Sequence, residues 1–186
     1  MGLWSYLEVH TVEWVKNRYM FDTSALDRLC KSTGDDELKI YASKRRGFEY
    51  YFTETQLQEA EDNIHAKKYA GLDAVGRDAA MRAIRMLRLV SKIQKAYVGR
   101  IATLDLNRWV GDGTFQLLPE NERAAHTMYL EMIGGNPNKY YNDASIALTG
   151  IVNGCTLVVE DKRFRNAVNR HFLGRAIRYG EFLARL

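Results

Sequence analysis

Four acidic residues, Asp22, Glu59, Asp143 and Asp161, stand where local patterning can gather them. Asp22 directly follows the apolar run RYMF. Asp161 follows TLVVE, whose first four residues have the composition of a strand covered on both faces. If both runs are parallel strands, the two acids share one carboxyl edge, the place where open α/β sheets bind ligands. Glu59 lies in the helical stretch after a second strand, and Asp143 opens the helix that feeds the last one. Each acid also has a plain local explanation. Asp22 and Asp143 are good helix N-caps, Asp161 suits a cap or turn, and Glu59 is a solvated helix residue beside Glu61 and Asp62. As a set they say more. Two like charges ~4 Å apart cost ~4 kcal/mol at an effective dielectric of ~20. Four converging carboxylates therefore call for a hard divalent cation held by carboxylate oxygen and water. Mg²⁺ in such a site bridges to phosphate and activates water, which suits hydrolysis of a phosphodiester.

The elements that must position these acids are legible in outline. Residues 3–16 read as a short amphipathic helix with Trp4, Leu7, Thr11, Trp14 and Val15 on one side. RYMF (18–21) is a brief strand, and DTSALDRLC continues it as a helix with Asp22, Thr23 and Ser24 as cap candidates. GDDELKIYASKRRG (34–47) starts acidic, ends basic and stops at Gly47, a helix matched to its dipole. FEYYFT (48–53) is a strand and ETQLQEAEDN (54–63) a helix. A long helix is expected over 78–98, a third short strand within 100–119, a helix over 120–133 and a loop over 134–139. Residues 140–154 read as a helix ending at Gly154, followed by a strand over 156–159 and a helix from about Asp161. The closing residues, 171–186, read as a basic amphipathic segment. Helices between every pair of strands imply crossovers. The expected fold is α/β, a three-layer α/β/α arrangement around a central, mostly parallel sheet.

The totals fit one domain. With 186 residues and 46% hydrophobic content, a sizeable core forms and disorder is not the main state. A formal charge of +4, from 27 Lys+Arg against 23 Asp+Glu, permits nucleic-acid binding without arguing for it. Cys30 and Cys155 lie in apolar surroundings and read as buried thiols, which fits a reducing cytoplasm. His10, His65, His126 and His171 are dispersed and show no metal-ligand spacing. Glu8 and Glu13 break any apolar N-terminal region, and no run approaches the ~20 apolar residues of a membrane span.

MFDTSAL, FTETQLQEAED and YNDASIALTGIVNGCTLVVEDKRF together resemble a PIN domain, in the manner of VapC-type toxin ribonucleases. Asp22, Glu59, Asp143 and Asp161 fall on that family's acidic positions. The separation of Asp143 and Asp161, with Gly154 and Phe164 in register, is the most specific part. Val159 departs from the pattern, standing where the family has a hydroxyl residue. The matched pieces lie between residues 18 and 164. Residues 1–17 form a helical extension outside the resemblance, and the PIN-like domain, 18–186, carries a helical insertion around 64–125. The resemblance implies a Mg²⁺- or Mn²⁺-dependent endoribonuclease, the toxin of a toxin–antitoxin pair, acting as a homodimer on RNA and held by an antitoxin protein. It implies that Asp22, Asp143 and Asp161 hold the metal, that Glu59 orients a metal-bound water, and that Thr23 and Ser24 bond to those waters. Single-stranded RNA suits a recessed site better than a duplex.

On the helix expected over 78–98, Ala83, Met86, Leu87, Val90, Ile93 and Tyr97 share one side. Arg82, Arg85, Arg88, Lys92 and Lys95 share the other, as either a track for a phosphate backbone or a solvated face. Arg170, Arg175, Arg178 and Arg185 carry the same ambiguity. Two other readings compete with the nuclease. One is a catalytically inactive PIN-like module that binds RNA or protein. The other is a doubly wound domain using Asp22 for phosphoryl chemistry, which would want a second Asp where this chain has Ser24.

Overall fold

A computed structural model describes residues 17–32, 34–65, 74–94, 119–134 and 136–186. The helix expected over 3–16 and the strand expected within 100–119 lie outside these residues, as do Tyr97 and Lys95.

The strands are short and aromatic or β-branched. β1 is Arg18–Phe21, β2 Glu49–Thr53, β3 Ser91–Gln94, β4 Thr156–Val158 and β5 Ala176–Ile177. They form one all-parallel sheet in the order β3-β2-β1-β4-β5. The helices are α1 (Thr23–Cys30), α2 (Asp35–Ser43), α3 (Glu54–His65), α4 (Ala74–Val90), α5 (Pro119–Ile133), α6 (Pro137–Val152), α7 (Lys162–His171) and α8 (Tyr179–Leu183). Successive side chains of a strand point to opposite faces, so β1, β2, β4 and β5 each feed two cores. Tyr19, Phe21, Tyr50, Phe52, Val158 and Ile177 pack with α1 to α4 and with Phe182 of α8. Met20, Tyr51, Leu157 and Ala176 pack with α5, α6 and α7. This is the expected three-layer α/β/α fold.

The sheet runs from β1 outward to β2 and β3, then returns to β4 and β5 on the other side. Strand order therefore reverses between β1 and β4, and the crevice at their carboxyl ends is the switch point of an open sheet. Gly150 permits close approach of α6 to the middle of β1 and β4. A Cβ on it would stand 2.4 Å from Leu157 Cδ2 and 3.3 Å from Met20 Sδ. Gly154, with φ of 66°, makes the turn from α6 into β4.

Several boundaries differ from the sequence reading. The helix over 78–98 ends at Val90, and Ser91–Gln94 become edge strand β3, paired to β2. Pairing with an exposed strand edge outcompetes continuation of a local helical pattern, and Ile93 is 41% exposed rather than on a core face. α6 starts at Pro137, inside the expected 134–139 loop, so Asp143 is not at its start. The closing segment, 171–186, is not a single element. It breaks at Gly174 (φ of 74°) into β5 and α8. Within the 64–125 span, α4 packs on α1, α2 and α3, and β3 extends the sheet.

Candidate active site

Asp22 ends β1 and caps α1. Its Oδ2 accepts from the Ser24 amide at 3.1 Å and from the Ser24 hydroxyl at 2.6 Å. The same Ser24 oxygen accepts from the Glu160 amide at 3.0 Å, and the Asp22 amide donates to the Val158 carbonyl at 2.9 Å. One serine thus ties the end of β1 to the chain leaving β4, across the switch point. Asp22 is buried, and burial pushes its carboxyl up from the ordinary range. The Ser24 hydroxyl and the Ser24 and Thr23 amides work the other way, while the Glu59 charge adds to the rise.

Glu59 reaches this end from the second turn of α3. Its Oε2 accepts a 3.3 Å bond from the Thr23 hydroxyl. The α3 N-terminus is fixed by a capping box. The Gln56 amide donates to Thr53 Oγ1 at 3.2 Å, and Gln56 Oε1 accepts from the Thr53 amide at 2.7 Å. The same Gln56 donates from Nε2 to the Phe21 carbonyl at 2.5 Å, locking α3 to the end of β1.

Asp161 caps α7, its Oδ1 accepting from the Phe164 amide at 2.7 Å. Glu160, the other acid of TLVVED, has a holding role. Its Oε1 accepts from the Tyr179 amide at 2.9 Å, and its carboxylate lies 3.7 Å from Arg28. Buried Arg165 donates to the Val159 and Glu160 carbonyls at 2.9 and 2.6 Å, fixing the strand exit. Val159 is fully buried.

Asp143 projects from the second turn of α6, so the N-cap explanation for it does not hold. Burial pushes its carboxyl up to about 6. Asp22 and Asp161 add to the rise, Arg163 opposes it, and Glu59 adds again. Topology has brought Asp22, Asp161 and Glu59 within electrostatic reach of Asp143. Among the described residues, no three His, Cys, Asp or Glu side chains stand together as a ready-made metal cage.

Beside Asp143 opens a recess of about 430 Å³ whose walls include Tyr140, Lys162, Arg163 and Arg170. The Arg163 guanidinium lies 3.3 Å from the centroid of the Tyr140 ring and donates to the Met132 carbonyl at 2.6 Å. A second recess, of about 560 Å³, is lined by Thr23, Ser24, Arg28 and Glu160 among others.

Thr23 and Ser24 both lie within the acid cluster. Their hydroxyls bond directly to the acids they neighbour. The basic stripe is corrected in part. Arg82 and Arg85 are exposed on α4, but Arg88 pairs with Glu54 at 2.6 Å and Glu61 at 3.1 Å, and Lys92 pairs with Glu49 at 2.8 Å. Gln56, Arg163 and Arg165 were not singled out in the sequence. For Gln56 the signal was present in TETQ, whose Thr-x-x-Gln spacing is that of a capping box. Cys30 and Cys155 are buried free thiols, as expected, and His171 pairs with Glu131.

No family model matches this sequence, and no curated protein does. The fold is similar to the crystal structure of PAE2754 from Pyrobaculum aerophilum, with a TM-score of 0.52 and 18% identity. The match covers 95% of this chain and 96% of that one. At that identity the likeness speaks for the α/β/α architecture alone. No helix among the described residues is long and apolar enough to cross a membrane.

Proposed function

We propose that this chain is a Mg²⁺- or Mn²⁺-dependent ribonuclease of PIN type, with its reacting centre at the carboxyl edge between β1 and β4. The observation that carries this reading is the gathering of acids at that edge, where Asp22 follows β1, Asp161 caps α7, Glu59 is bonded to Thr23 and Asp143 lies in the field of all three. The Asp143 carboxyl is held up at about 6 by burial and by the charges of Asp22, Asp161 and Glu59. Keeping like charges in one another's field lowers the stability of the fold, and a divalent cation would relieve that. The donor set fits an open site rather than a closed cage. Mg²⁺ keeps several waters and uses one or two carboxylates together with substrate phosphate. Such a site does not need the tight trio that is missing among the described residues.

Asp22, Asp143 and Asp161 would hold the ion, directly or through water. When bound, the ion would supply an activated water and neutralise charge on the transferring phosphoryl group. The chain's own residues do the rest. The Ser24 hydroxyl fixes Asp22, and Gln56 fixes the helix that carries Glu59. Glu59, tethered by Thr23, would orient a metal-bound water. The narrower form of the reading, a toxin acting as a homodimer under an antitoxin, rests on the sequence resemblance alone.

A second reading, a binding module of the same fold without cleavage, is favoured by Val159, which brings no hydroxyl to the strand exit, and by the open spacing of the acids. The two readings separate in one assay. Wild type, Asp22→Asn, Asp143→Asn and Asp161→Asn are incubated with structured and single-stranded RNAs, with and without Mg²⁺ or Mn²⁺. Cleavage that needs the ion and is lost in all three variants is the expected result. RNA binding without cleavage under either ion would select the binding module.

A further inference from the structure

We infer that the recess beside Asp143 is the lane by which a single-stranded polynucleotide reaches the acid cluster, with α7 rather than the basic stripe of α4 as its phosphate-binding wall. The inference rests on the reading of that cluster as a phosphodiester site. The recess, about 430 Å³, lies in the size range of ligand pockets. Asp143 belongs to its wall, so the recess meets the acid cluster at that residue. Three bases line it. Lys162 is exposed and makes no ion pair among the described residues. Arg170 pairs with Glu131, yet its side chain stays 63% exposed. Arg163 is held as a planar cation, 3.3 Å over the Tyr140 ring and anchored to the Met132 carbonyl. A fixed guanidinium backed by an aromatic ring stacks unpaired bases, and neighbouring Lys and Arg take the phosphates. A duplex, whose bases are already stacked, cannot use such a platform. On α4 and β3, Arg88 and Lys92 are engaged by Glu54, Glu61 and Glu49, and the exposed Arg82 and Arg85 do not line the recess.

The test is binding of short labelled single-stranded RNA and DNA to the Asp22→Asn chain, followed by fluorescence anisotropy across a salt series. Lys162→Ala with Arg170→Ala is expected to weaken binding roughly tenfold and to lower the salt slope by about 1.4. Lys162→Ala alone disturbs no ion pair among the described residues and is expected to lower the slope by about 0.7. Tyr140→Leu is expected to weaken binding roughly five- to hundredfold, with Tyr140→Phe restoring it. Arg82→Ala with Arg85→Ala is expected to bind as the parent does. Thermal melts of every variant separate lost binding from lost folding. The lane is overturned if the Lys162 and Arg170 variants bind as the parent does at the parent's Tm, if the Arg82 and Arg85 variant is the one that loses binding, or if neither strand binds. Calorimetric titration of the wild-type chain with Mn²⁺ distinguishes this failure from that of the nuclease reading. An ion that binds while strand affinity ignores Lys162 and Arg170 overturns the lane and leaves the metal site standing. Strand binding that needs those residues in a chain that takes up no ion supports the lane and removes the nuclease.

Discussion

The two edges of the sheet treat charge in opposite ways. At the amino edge, Arg18 opens β1 beside Glu49, which opens β2, and Lys92 of β3 completes the row. Glu49 accepts from Arg18 at 2.6 Å, from Lys92 at 2.8 Å and from the Tyr51 hydroxyl at 3.1 Å. Burial works to raise its carboxyl, but the bonds from Lys92, Arg18 and Tyr51 overcome that and pull it down to about 2. At the carboxyl edge Asp143 stands near three other acids, with Arg163 as the opposing charge, and is pushed up to about 6. Both carboxylates are partly exposed and both sit among ionised neighbours. One edge is finished as scaffold, and at the other burial and like charges outweigh Arg163 in their effect on Asp143. A cluster of like charges lowers stability, and such sites mark function more often than paired ones do.

The largest test of the contrast is catalytic. Asp22→Asn keeps an N-capping side chain but loses the charge, so ion-dependent cleavage of RNA should fall by about 10³-fold with Tm unchanged or raised. Glu49→Gln, at the other edge, should cut RNA at the wild-type rate. Equal losses in both variants would dissolve the distinction.

Ion binding comes next in size. At a concentration 100 times its Kd, Mn²⁺ should stabilise the wild type by about 2.7 kcal/mol, read as a rise in Tm. The rise should be absent in Asp143→Asn and unaltered in Glu49→Gln. A rise that survives Asp143→Asn would place the ion elsewhere.

Paired substitutions then give stability changes of opposite sign at pH 7. Glu49→Gln should cost about 1 kcal/mol, and Asp143→Asn should gain about 1 kcal/mol, after allowance for screening at partly exposed groups. The pH windows differ. Glu49 is lowered from 4.5 to about 2, so its contribution is present in full above pH 4.5 and fades as pH falls toward 2. Asp143 is raised from 3.8 to about 6, so the folded state holds the extra proton between those values. Its penalty is absent below pH 3.8, grows as pH rises and is complete above about 6. Urea unfolding of the variants from pH 3 to pH 8 would show both windows, and a stability gain from Asp143→Asn that persisted at pH 3 would contradict the account.

The smallest effect concerns Arg88. Removing it frees Glu54 and Glu61 and should cost at most about 1 kcal/mol, with cleavage and strand binding unchanged. Weakened binding in Arg88→Ala at unchanged stability would return α4 to consideration as a nucleic-acid surface.

Much of the candidate site was legible because several of its parts are local devices. Asp22 and Asp161 announce themselves as caps directly after apolar runs, and Ser24 completes the first cap within two residues. The missed Thr53–Gln56 box is equally local and was available in TETQ. Ser91–Gln94 was misread because its composition continues a helical periodicity while its fate depends on β2, some forty residues upstream. Arg88 and Lys92 matched a stripe on a wheel, and only packing showed that each faces an acid from another element.

The sequence by itself determined β1, β2 and β4, the caps that start α1 and α7, and the two acids that follow β1 and β4, because side-chain period and capping act over a few residues. Only the tertiary structure decided what stands opposite each charge. Whether a carboxylate meets Lys92 and Arg18, as Glu49 does, or Asp22 and Asp161, as Asp143 does, depends on strand order and crossover. Those bring together residues more than a hundred positions apart, and no local rule can read the field they make.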